Sequence, residues 1–333
     1  LGAMETGPTG PDVFAGEDPP AHGRHRRIFR EVLANSRVQA LENYIEVMAD
    51  EMLNGLLSAG GGDAAAALTH PLPLRVMAEQ MIGFSDYVLE DLARWLDTGS
   101  LLTGGLLTLE EMASEGADMG GMVSWMAGEL EGALKTTSRD SLLGVAAGAV
   151  RDGELSEEQA AFALLVFVGA GAETTTSLLG ICIDILARRP DLQEWLRTEP
   201  SLIPAFVEEV LRYESPFRFH PRTTGRSAEL GGVRIPEGAL VLLLWAAANR
   251  DPAVFDSPDE LVIGRPNVQL HFGFGRGIHH CIGAPLARLE AKVALSRLLA
   301  LTSEFGPGGP PVRWAHSIWI HRPDELAIEL RPA

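Results

Sequence analysis

Apolar and polar positions follow a helical period over about the first two thirds of the chain. Apolar residues recur three or four positions apart, and acidic residues, serines or prolines stand where such segments begin. This pattern predicts helices at about 18–36, 38–57, 71–82, 86–99, 108–135, 139–150, 201–213 and 282–301. The first of these is expected to start at Asp18, as an acidic cap before two prolines. Glycine-rich stretches at 60–63 and 99–105 predict loops.

The longest apolar segment predicts a long central helix. Ser156 and Gln159 form a capping box before it, and the apolar pattern continues past Leu186 until Pro190. The longest uninterrupted apolar run, 160–172, is too short to span a bilayer and is typical of a buried core helix.

Short β-rich segments follow in the last third of the chain. Strands are expected at 217–224, 233–235 and 239–244, with a strand pair formed by 312–320 and 326–330. A glycine-rich loop covers 269–280. Because no repeat or linker divides the chain, residues 1–333 are expected to form one mainly α domain with a minor β region. The lead at 1–16 lacks a clear period, and its start at Leu1 suggests a fragment or a trimmed chain.

Composition and charge favour a globular protein and argue against nucleic-acid-binding, disulfide-rich and secreted classes. The 333 residues are 46% hydrophobic with a mean hydropathy of +0.08, as in a globular chain. A formal net charge of −18 argues against nucleic acid as a general partner. Two cysteines, Cys182 and Cys281, cannot build a disulfide framework, which indicates a reducing compartment. With neither a secretory pattern nor a membrane span, a cytoplasmic enzyme or binding protein is expected.

The centre of the long helix breaks local rules. Residues 169–176 read Gly-Ala-Gly-Ala-Glu-Thr-Thr-Thr, and each glycine costs about 1 kcal/mol relative to alanine in a helix interior. Threonine hydroxyls can bond to carbonyls one turn earlier and bend the helix. One interpretation is a functional turn that carries the carboxylate of Glu173 and the hydroxyl of Thr174. The other is a close helix crossing at glycine, with Glu173 reaching the surface.

A second short motif is Glu209 with Arg212. Residues three apart share one face of a helix and can form an ion pair. Taken alone, the motif is equally typical of a solvated surface pair.

The third motif is the glycine-rich loop that ends in Cys281 and Gly283, immediately before the last helix. Free N–H groups at a helix start favour a thiolate, and glycines let the backbone curl around whatever the sulfur binds. A phosphate cradle, a zinc site and a plain buried cysteine are alternatives. The zinc ligands would be His271, His279, His280 and Cys281. A single thiolate in a glycine loop suits a heme iron better.

Together these motifs resemble those of the bacterial cytochromes P450. The loop matches F-x-x-G-x-x-x-C-x-G as Phe274, Gly277, Cys281 and Gly283. Residues 170–174 are similar to the family's oxygen-activation turn, and Glu209, Arg212 and Arg265 match its Glu-x-x-Arg pair and third member. The separations, 35 residues from 174 to 209 and 72 from 209 to 281, are also similar to those of the family.

The resemblance implies a heme-thiolate monooxygenase of the P450 fold, with heme b as cofactor, O₂ as co-substrate and Cys281 as the iron ligand. Glu173 and Thr174 are then expected to be catalytic and relay protons, while Glu209, Arg212 and Arg265 brace the cysteine loop. The further heme-contacting residues are expected to be His22, Arg26, Ala170, Arg222, Phe274, Gly275, His279 and Gly283. The substrate pocket is expected to include Gly169, Arg218, His220 and Trp319, which suggest a substrate with a polar or anionic group.

The resemblance also bears on partners and on alternatives. Between His22 and Arg37 there are five arginines against one glutamate, a local net charge of +4 that would attract an acidic ferredoxin supplied by a ferredoxin reductase. A solvated helix face is the simpler explanation of those charges. The family's first strands and early helices are missing before His22, and His280 stands where an apolar residue is usual. A silent heme-binding or recruitment module and a peroxide-driven oxidase are the alternatives to a monooxygenase that acts on a small molecule of secondary metabolism.

Overall fold

Helices make up most of the structure. The computed structural model describes residue 13 and residues 16–333, so the lead expected at 1–16 lies almost wholly outside the described residues. The described helices are α1 Ala21–Arg30, α2 Asn35–Gln39, α3 Glu42–Ala59, α4 Pro71–Arg75, α5 Leu89–Thr103, α6 Leu109–Leu134, α7 Leu142–Arg151, α8 Glu157–Ala187, α9 Pro190–Thr198, α10 Ile203–Tyr213, α11 Trp245–Ala248 and α12 Ala284–Leu301. Wider π-type turns cover Ala65–Thr69 and Val76–Ile82, and short 3₁₀ turns cover Pro200–Leu202, Val268–Leu270 and Gly277–His279.

The start of the chain differs from the prediction of one helix at 18–36. Helix α1 begins at Ala21, after both prolines, because a residue that precedes proline is disfavoured in the α conformation. The extended backbone of Ala34 then separates α1 from α2. Helix α9 was not predicted, since Pro190 was interpreted only as the end of α8. Proline is also well suited to the first turn of a helix, and Pro190 occupies that position in α9.

Helix α8 is the central element of the fold. The capping box of Ser156 and Gln159 is present in both directions, as predicted, and the helix runs without a break for 31 residues. It packs against α4, α6, α7, α10 and α12. By length and composition α8 could cross a membrane, but 56% of its most apolar window is buried inside the fold, as in the core helix of a globular protein.

Four small antiparallel sheets complete the described structure. Strand β9 (Ala327–Pro332) lies between β1 (Gly61–Asp63) and β6 (Thr302–Pro307), and β2 (His220–Thr223) pairs with β5 (Leu240–Leu243). Strands β3 (Ala228–Leu230) and β4 (Val233–Ile235) form a hairpin, and β7 (Arg313–Trp314) pairs with β8 (Pro323–Glu325).

Two predictions about strands were wrong. Residues 60–63, expected to be a loop, contain β1, and a Cβ on Gly61 would lie 2.3 Å from the carbonyl oxygen of Ile328, so only glycine fits this close pairing. Segments 312–320 and 326–330 do not pair with each other. The second of them pairs with β6, which ends 20 residues earlier, and with β1, which lies more than 260 residues earlier.

Helices α1 and α12 position the glycine-rich loop. That loop leads directly into α12, which packs against α3, α8 and α10 in the core. Arg26 of α1 contacts the same loop, since its Nη2 donates to the carbonyl of His280 at 2.6 Å. The cysteine is therefore held where the loop meets α1 and enters α12.

Candidate functional site

The cysteine loop is a tightly turned segment. The N–H of Cys281 donates to the carbonyl of Phe274 at 2.8 Å, and the N–H of Gly275 donates to that of Phe272 at 2.8 Å. Gly275 and Gly277 have φ values of 66° and 71°, in the left-handed region that favours glycine. These turns bring Cys281 to an exposed position at the start of α12.

Opposing effects act on the Cys281 thiol. Although Cys281 as a residue is exposed, the protein atoms packed around its thiol shield that group from water and raise its pKa, while the N–H groups of Gly283 and Ala284 and the charges of Arg26 and Arg288 act in the other direction. The net shift is upward. The N–H groups expected at the helix start are present, but by themselves they do not produce a low-pKa thiolate. A bound metal cation deprotonates a coordinating thiol directly.

The histidines of the loop do not form a zinc site. His271 contacts Glu208 through Nε2 at 3.0 Å and accepts the N–H of Gly273 through Nδ1. His279 instead lies against His22, with ring centroids 4.5 Å apart. Over residues 16–333, no group of three or more histidine, cysteine or acidic side chains is arranged to hold a metal ion.

Several basic groups gather beside the cysteine loop. His22 of α1 lies against His279, and its buried Nε2 has no hydrogen-bond partner among the described residues. Arg26 is bonded to the His280 carbonyl, and the charge of Arg222 in β2 acts on His279. Four side chains that are distant in sequence, His22, Arg26, Arg222 and His279, thus form one positively polarised region next to Cys281.

A buried ion-pair network lies behind the loop. Glu209 and Arg212 are both 0% exposed and meet through two hydrogen bonds of 2.7 and 2.9 Å. Arg265 donates to Glu209 at 3.2 Å. The pair is therefore buried, and the surface-pair interpretation of this motif is wrong.

Asn249 links this network to the cysteine loop. Arg212 donates to the Asn249 carbonyl at 3.0 Å, and the Asn249 side-chain oxygen accepts the N–H of Phe272 at 2.7 Å. The sequence analysis did not identify Asn249, because it has no special spacing relative to the other motifs.

A second set of contacts that holds the cysteine loop, centred on Glu208, was not identified from the sequence. Glu208 accepts hydrogen bonds from Arg288 of α12, and His271 of the loop bonds to the same carboxylate. Burial alone would raise the pKa of Glu208, but these two partners outweigh it and lower the pKa to about 2. Arg288 also lies over the Phe274 ring, 4.4 Å from its centroid. Glu208 directly precedes Glu209 in α10. The same turn of this helix therefore holds the loop through His271 and Arg288 and also through the network of Glu209, Arg212 and Asn249.

The middle of α8 has an open stripe on an otherwise largely buried helix. A Cβ on Gly169 would meet nothing within 4 Å, and Ala170 is exposed. Thr174 lies one turn later, and its hydroxyl donates to the Ala170 carbonyl at 2.7 Å. Gly171 has a different role, because a Cβ there would lie 2.5 Å from the sulfur of Met77. Gly169 therefore leaves open space beside the helix, whereas Gly171 allows the side chain of Met77 to pack closely against it.

Glu173 does not reach the surface. Its side chain is 16% exposed, and Nη1 of the buried Arg322 lies 3.7 Å from its Oε1. Arg322 also contacts Asp97 of α5 and Asp324 of β8, so three carboxylates share one guanidinium. Burial raises the pKa of Glu173, against the opposing effects of a hydrogen bond from Ser100 and the charge of Arg322. Arg322 was not identified from the sequence.

Three of the residues expected in the substrate pocket, Arg218, His220 and Trp319, lie close to one another, and the N–H of Arg218 donates to the Trp319 carbonyl at 2.9 Å. His220 and Trp319 have ring centroids 5.8 Å apart, and Phe217 and Phe219 lie beside them. The guanidinium of Arg218 is directed to the C-terminal segment, where it donates to the Ser317 carbonyl.

The residues around Cys281 fit a heme with an axial thiolate. Cys281 is an exposed residue, and the N–H groups of Gly283 and Ala284 at the start of α12 bond to its sulfur, which suits a thiolate that binds iron. The unpartnered Nε2 of His22 and the neighbouring Arg26 and Arg222 provide donors for the two carboxylates of heme.

Comparisons with known proteins agree with this geometry. The model of the family "Cytochrome P450" matches residues 134–303. Cytochrome P450 144 of Mycobacterium tuberculosis is 36% identical over 328 residues, which cover 98% of this chain and 74% of that protein. The 6-deoxyerythronolide B hydroxylase of Saccharopolyspora erythraea is 32% identical over 320 residues, covering 94% and 76%. The solved structure of CYP109Q5 from Chondromyces apiculatus matches with a TM-score of 0.85 and 35% identity, over 97% of this chain and 80% of that one.

Proposed function

This chain belongs to the cytochrome P450 family of heme-dependent monooxygenases, and we propose that it inserts one oxygen atom of O₂ into a small organic substrate with electrons from a ferredoxin system. The observation that carries the proposal is the exposed Cys281 at the start of α12, held by a glycine loop with buried braces behind it. Residues 16–333 supply these parts together, which supports a single heme domain.

Cys281 is the proposed iron ligand, and His22, Arg26, Arg222 and His279 are the proposed partners of the heme carboxylates. Cys281 would hold heme b through its thiolate, and that bond would supply the electron density that favours cleavage of the O–O bond. The chain's own contribution is to hold the sulfur in place. The loop hydrogen bond from Cys281 to Phe274 and the cover of Arg288 over the Phe274 ring support that function.

Glu173 and Thr174 are the proposed proton-relay residues. Burial keeps the pKa of Glu173 raised, so its carboxyl group can both hold and release a proton at Oε1. Arg322 at 3.7 Å and the half-exposed Asp97 beyond it connect that carboxyl toward solvent. Thr174 offers its hydroxyl on the open stripe of α8, where Ala170 and Gly169 leave room for a water molecule.

The network of Glu209, Arg212 and Arg265 is proposed to be structural. Its hydrogen bonds end on backbone carbonyls and on Asn249, which holds the N–H of Phe272. Removal of these charges would therefore change the position of Cys281, because the loop backbone that carries it would lose its support.

The electron donor is proposed to dock on α1. Arg24 and Arg30 are exposed, whereas Arg27 and Arg37 lie near Glu154 and Asp140. Arg26 points inward to the cysteine loop, which places the exposed charges of α1 near the sulfur side of the site. An acidic ferredoxin would be attracted there, and its association would weaken with salt.

The substrate is proposed to be a product of secondary metabolism. The relative named 6-deoxyerythronolide B hydroxylase supports an oxidised small molecule of that kind. Aromatic rings from Phe217, Phe219 and Trp319 suit a largely apolar molecule. The alternative, a silent heme-binding module, is disfavoured by the open stripe beside Thr174, because such a module needs neither that space nor that hydroxyl.

Turnover of the heme-loaded chain with ferredoxin, ferredoxin reductase and NADPH tests this proposal. Wild type should form hydroxylated product in proportion to the NADPH consumed. Thr174→Ala should keep folding and heme content, because alanine is favoured in helices, but should release more peroxide and less product. Thr174→Ser restores the hydroxyl and is the matched control.

An unchanged ratio of product to NADPH in Thr174→Ala would contradict the relay. Product formed with peroxide but never with ferredoxin would contradict the proposed electron source. A heme-loaded wild type that turns over none of a broad set of small molecules would favour the silent module.

A further inference from the structure

The tautomer of His220 is fixed by a neighbouring tryptophan. Nε1 of Trp245 lies 2.6 Å from Nδ1 of His220. An indole N–H can only donate, so Nδ1 must be the acceptor and carries no hydrogen. The neutral imidazole then carries its hydrogen on Nε2. Over residues 16–333 this Nε2 makes no hydrogen bond, and it is not sealed from solvent as the unpartnered Nε1 of Trp319 is.

His220 is also uncharged over the working pH range. Burial lowers the pKa of His220 to about 4, and the positive charge of Arg222 on the same strand acts in the same direction. The other groups against the ring are Phe217, Trp245 and Trp319, which do not titrate there. The side chain is therefore a neutral single donor.

This donor faces the side of the cysteine loop. Residues two apart in a strand share one face, so His220 and Arg222 lie on the same side of β2. The charge of Arg222 reaches His279 in the loop. Trp245, which holds His220, is stacked on Phe272 of the same loop with ring centroids 5.3 Å apart.

The guanidinium of Arg218, which was expected to attract an anionic substrate group, is directed elsewhere. Arg218 donates from Nη1 to the Ser317 carbonyl at 3.2 Å and from Nη2 to Nδ1 of His321 at 2.8 Å. Nε2 of His321 lies 3.4 Å from Glu214, so Arg218 belongs to a network with its own carboxylate. Arg218 is therefore not free to attract an anionic substrate group, and Arg222, whose charge reaches the His220 ring, is already a proposed partner of the heme carboxylates.

We propose that His220 presents its Nε2–H to the substrate and selects an uncharged, largely apolar molecule that carries an oxygen acceptor, such as a ketone or lactone carbonyl. Trp245 is a positioning residue that holds the donor in this tautomer. This inference rests on the proposed function, because it assumes that the space beside the cysteine loop receives the substrate.

The tautomer is tested first, without any substrate. Nitrogen NMR of the histidine-labelled, diamagnetic ferrous CO complex should show His220 as a neutral ring with hydrogen on Nε2 from pH 5 to pH 8. Trp245→Phe removes the indole donor and should change the nitrogen shifts of His220. A protonated ring, or hydrogen on Nδ1, in wild type would overturn the proposal.

Substrate selection is tested with three rings of equal size: cyclododecanone, cyclododecane and cyclododecanecarboxylate. Binding is followed by the shift of the heme Soret band. Cyclododecanone should bind most tightly to wild type and about 2- to 10-fold more weakly to His220→Phe, as expected for the loss of one neutral hydrogen bond. His220→Gln keeps an N–H donor and should recover part of that affinity, and Trp245→Phe should weaken ketone binding without changing cyclododecane binding.

His316→Phe is the control, since His316 is an exposed histidine of the C-terminal segment. Tighter binding of the carboxylate, or no preference for the ketone among the three rings, including no binding at all, would overturn the proposed selection. If that result came with normal ferredoxin-supported turnover of another substrate, only the assignment of His220 would fail, and the proposed function would stand.

Discussion

Replacement of Arg212 by alanine should abolish stable, heme-loaded protein, although Arg212 lies behind the cysteine loop. The side chain is fully buried, and it donates two hydrogen bonds to Glu209. It donates three more to the carbonyls of Asn249, Pro258 and Glu260. One guanidinium therefore joins α10 to three points of the segment that leads to the loop.

The magnitude follows from what the substitution leaves unpaired. Breaking a buried ion pair costs about 3–5 kcal/mol, because the remaining charge stays buried. The carbonyls of Asn249 and Pro258 lose this donor, at about 1–3 kcal/mol each, whereas Glu260 keeps a bond from Arg265 at 3.1 Å. A total of about 5–10 kcal/mol is comparable with the whole stability of a typical domain, about 5–15 kcal/mol.

The assay is heme content after purification, with the midpoint of thermal unfolding. Arg212→Ala should yield little folded holoprotein or lower the midpoint by at least about 10 °C. Arg212→Lys keeps the charge but loses the two-pronged geometry, so an intermediate loss is expected. Lys135→Ala removes an exposed helical ion pair with Glu131, four residues earlier, in which the lysine is 71% exposed, and it should have almost no effect.

Normal heme content and an unchanged midpoint in Arg212→Ala would refute this reasoning. That result would mean that Arg265 and the Val262 N–H, which also bond to Glu209, hold the carboxylate without Arg212.

Three further predictions address proton delivery, partner docking and pH. Glu173→Gln should slow O₂ reduction itself, measured as the rate of NADPH consumption with saturating ferredoxin, and a rate equal to wild type would argue against a proton role. Charge reversal of the exposed Arg24 and Arg30 should raise the KM for ferredoxin and flatten its salt dependence, whereas the same change at the exposed Arg331 should not. Glu290 is fully buried, neither carboxylate oxygen has a partner among the described residues, and burial raises its pKa well above the usual value. The folded state therefore holds this proton more tightly than the unfolded state, so stability should fall as pH rises above the ordinary glutamate pKa, by up to about 1.4 kcal/mol per pH unit. Denaturant titrations should show this part of the slope lost in Glu290→Gln, and identical slopes would contradict it.

Local signals in the sequence were sufficient for most helices. The capping box at Ser156 and Gln159 involves residues three apart, so the information that starts α8 lies within one turn. Strand pairing was harder to predict from the sequence. Strand β9 lies between β6, which is nearby along the chain, and β1, which is more than 260 residues earlier, and each of these strands is short. A glycine pair that reads as a loop becomes a strand only when β9 is beside it.

In the candidate site too, features formed by neighbouring residues could be predicted, whereas contacts between distant residues could not. The cysteine loop is contiguous, so its residue types and spacing are visible directly in the sequence. Arg322 contacts Glu173 across 149 residues of chain, and Trp245, which begins α11 just after β5, fixes His220 of β2. Such partners have no common period or motif, and only packing brings them together.

The burial of charged groups was likewise invisible in the sequence. Glu209 with Arg212 and exposed pairs such as Glu131 with Lys135 have similar helical spacing, yet the first pair is sealed in the core. The difference arises from the loop at 256–262, whose carbonyls surround the guanidinium groups of Arg212 and Arg265.

Cys281 as the thiolate ligand of heme is the central claim, and the absorption spectrum of the reduced, CO-bound protein tests it most directly. Wild type should show the red-shifted Soret band of a thiolate-ligated heme, Cys281→Ser should lose it, and Cys182→Ala, which changes the buried second cysteine, should keep it. A wild-type band typical of imidazole ligation, or a thiolate band that survives in Cys281→Ser, would contradict the assignment.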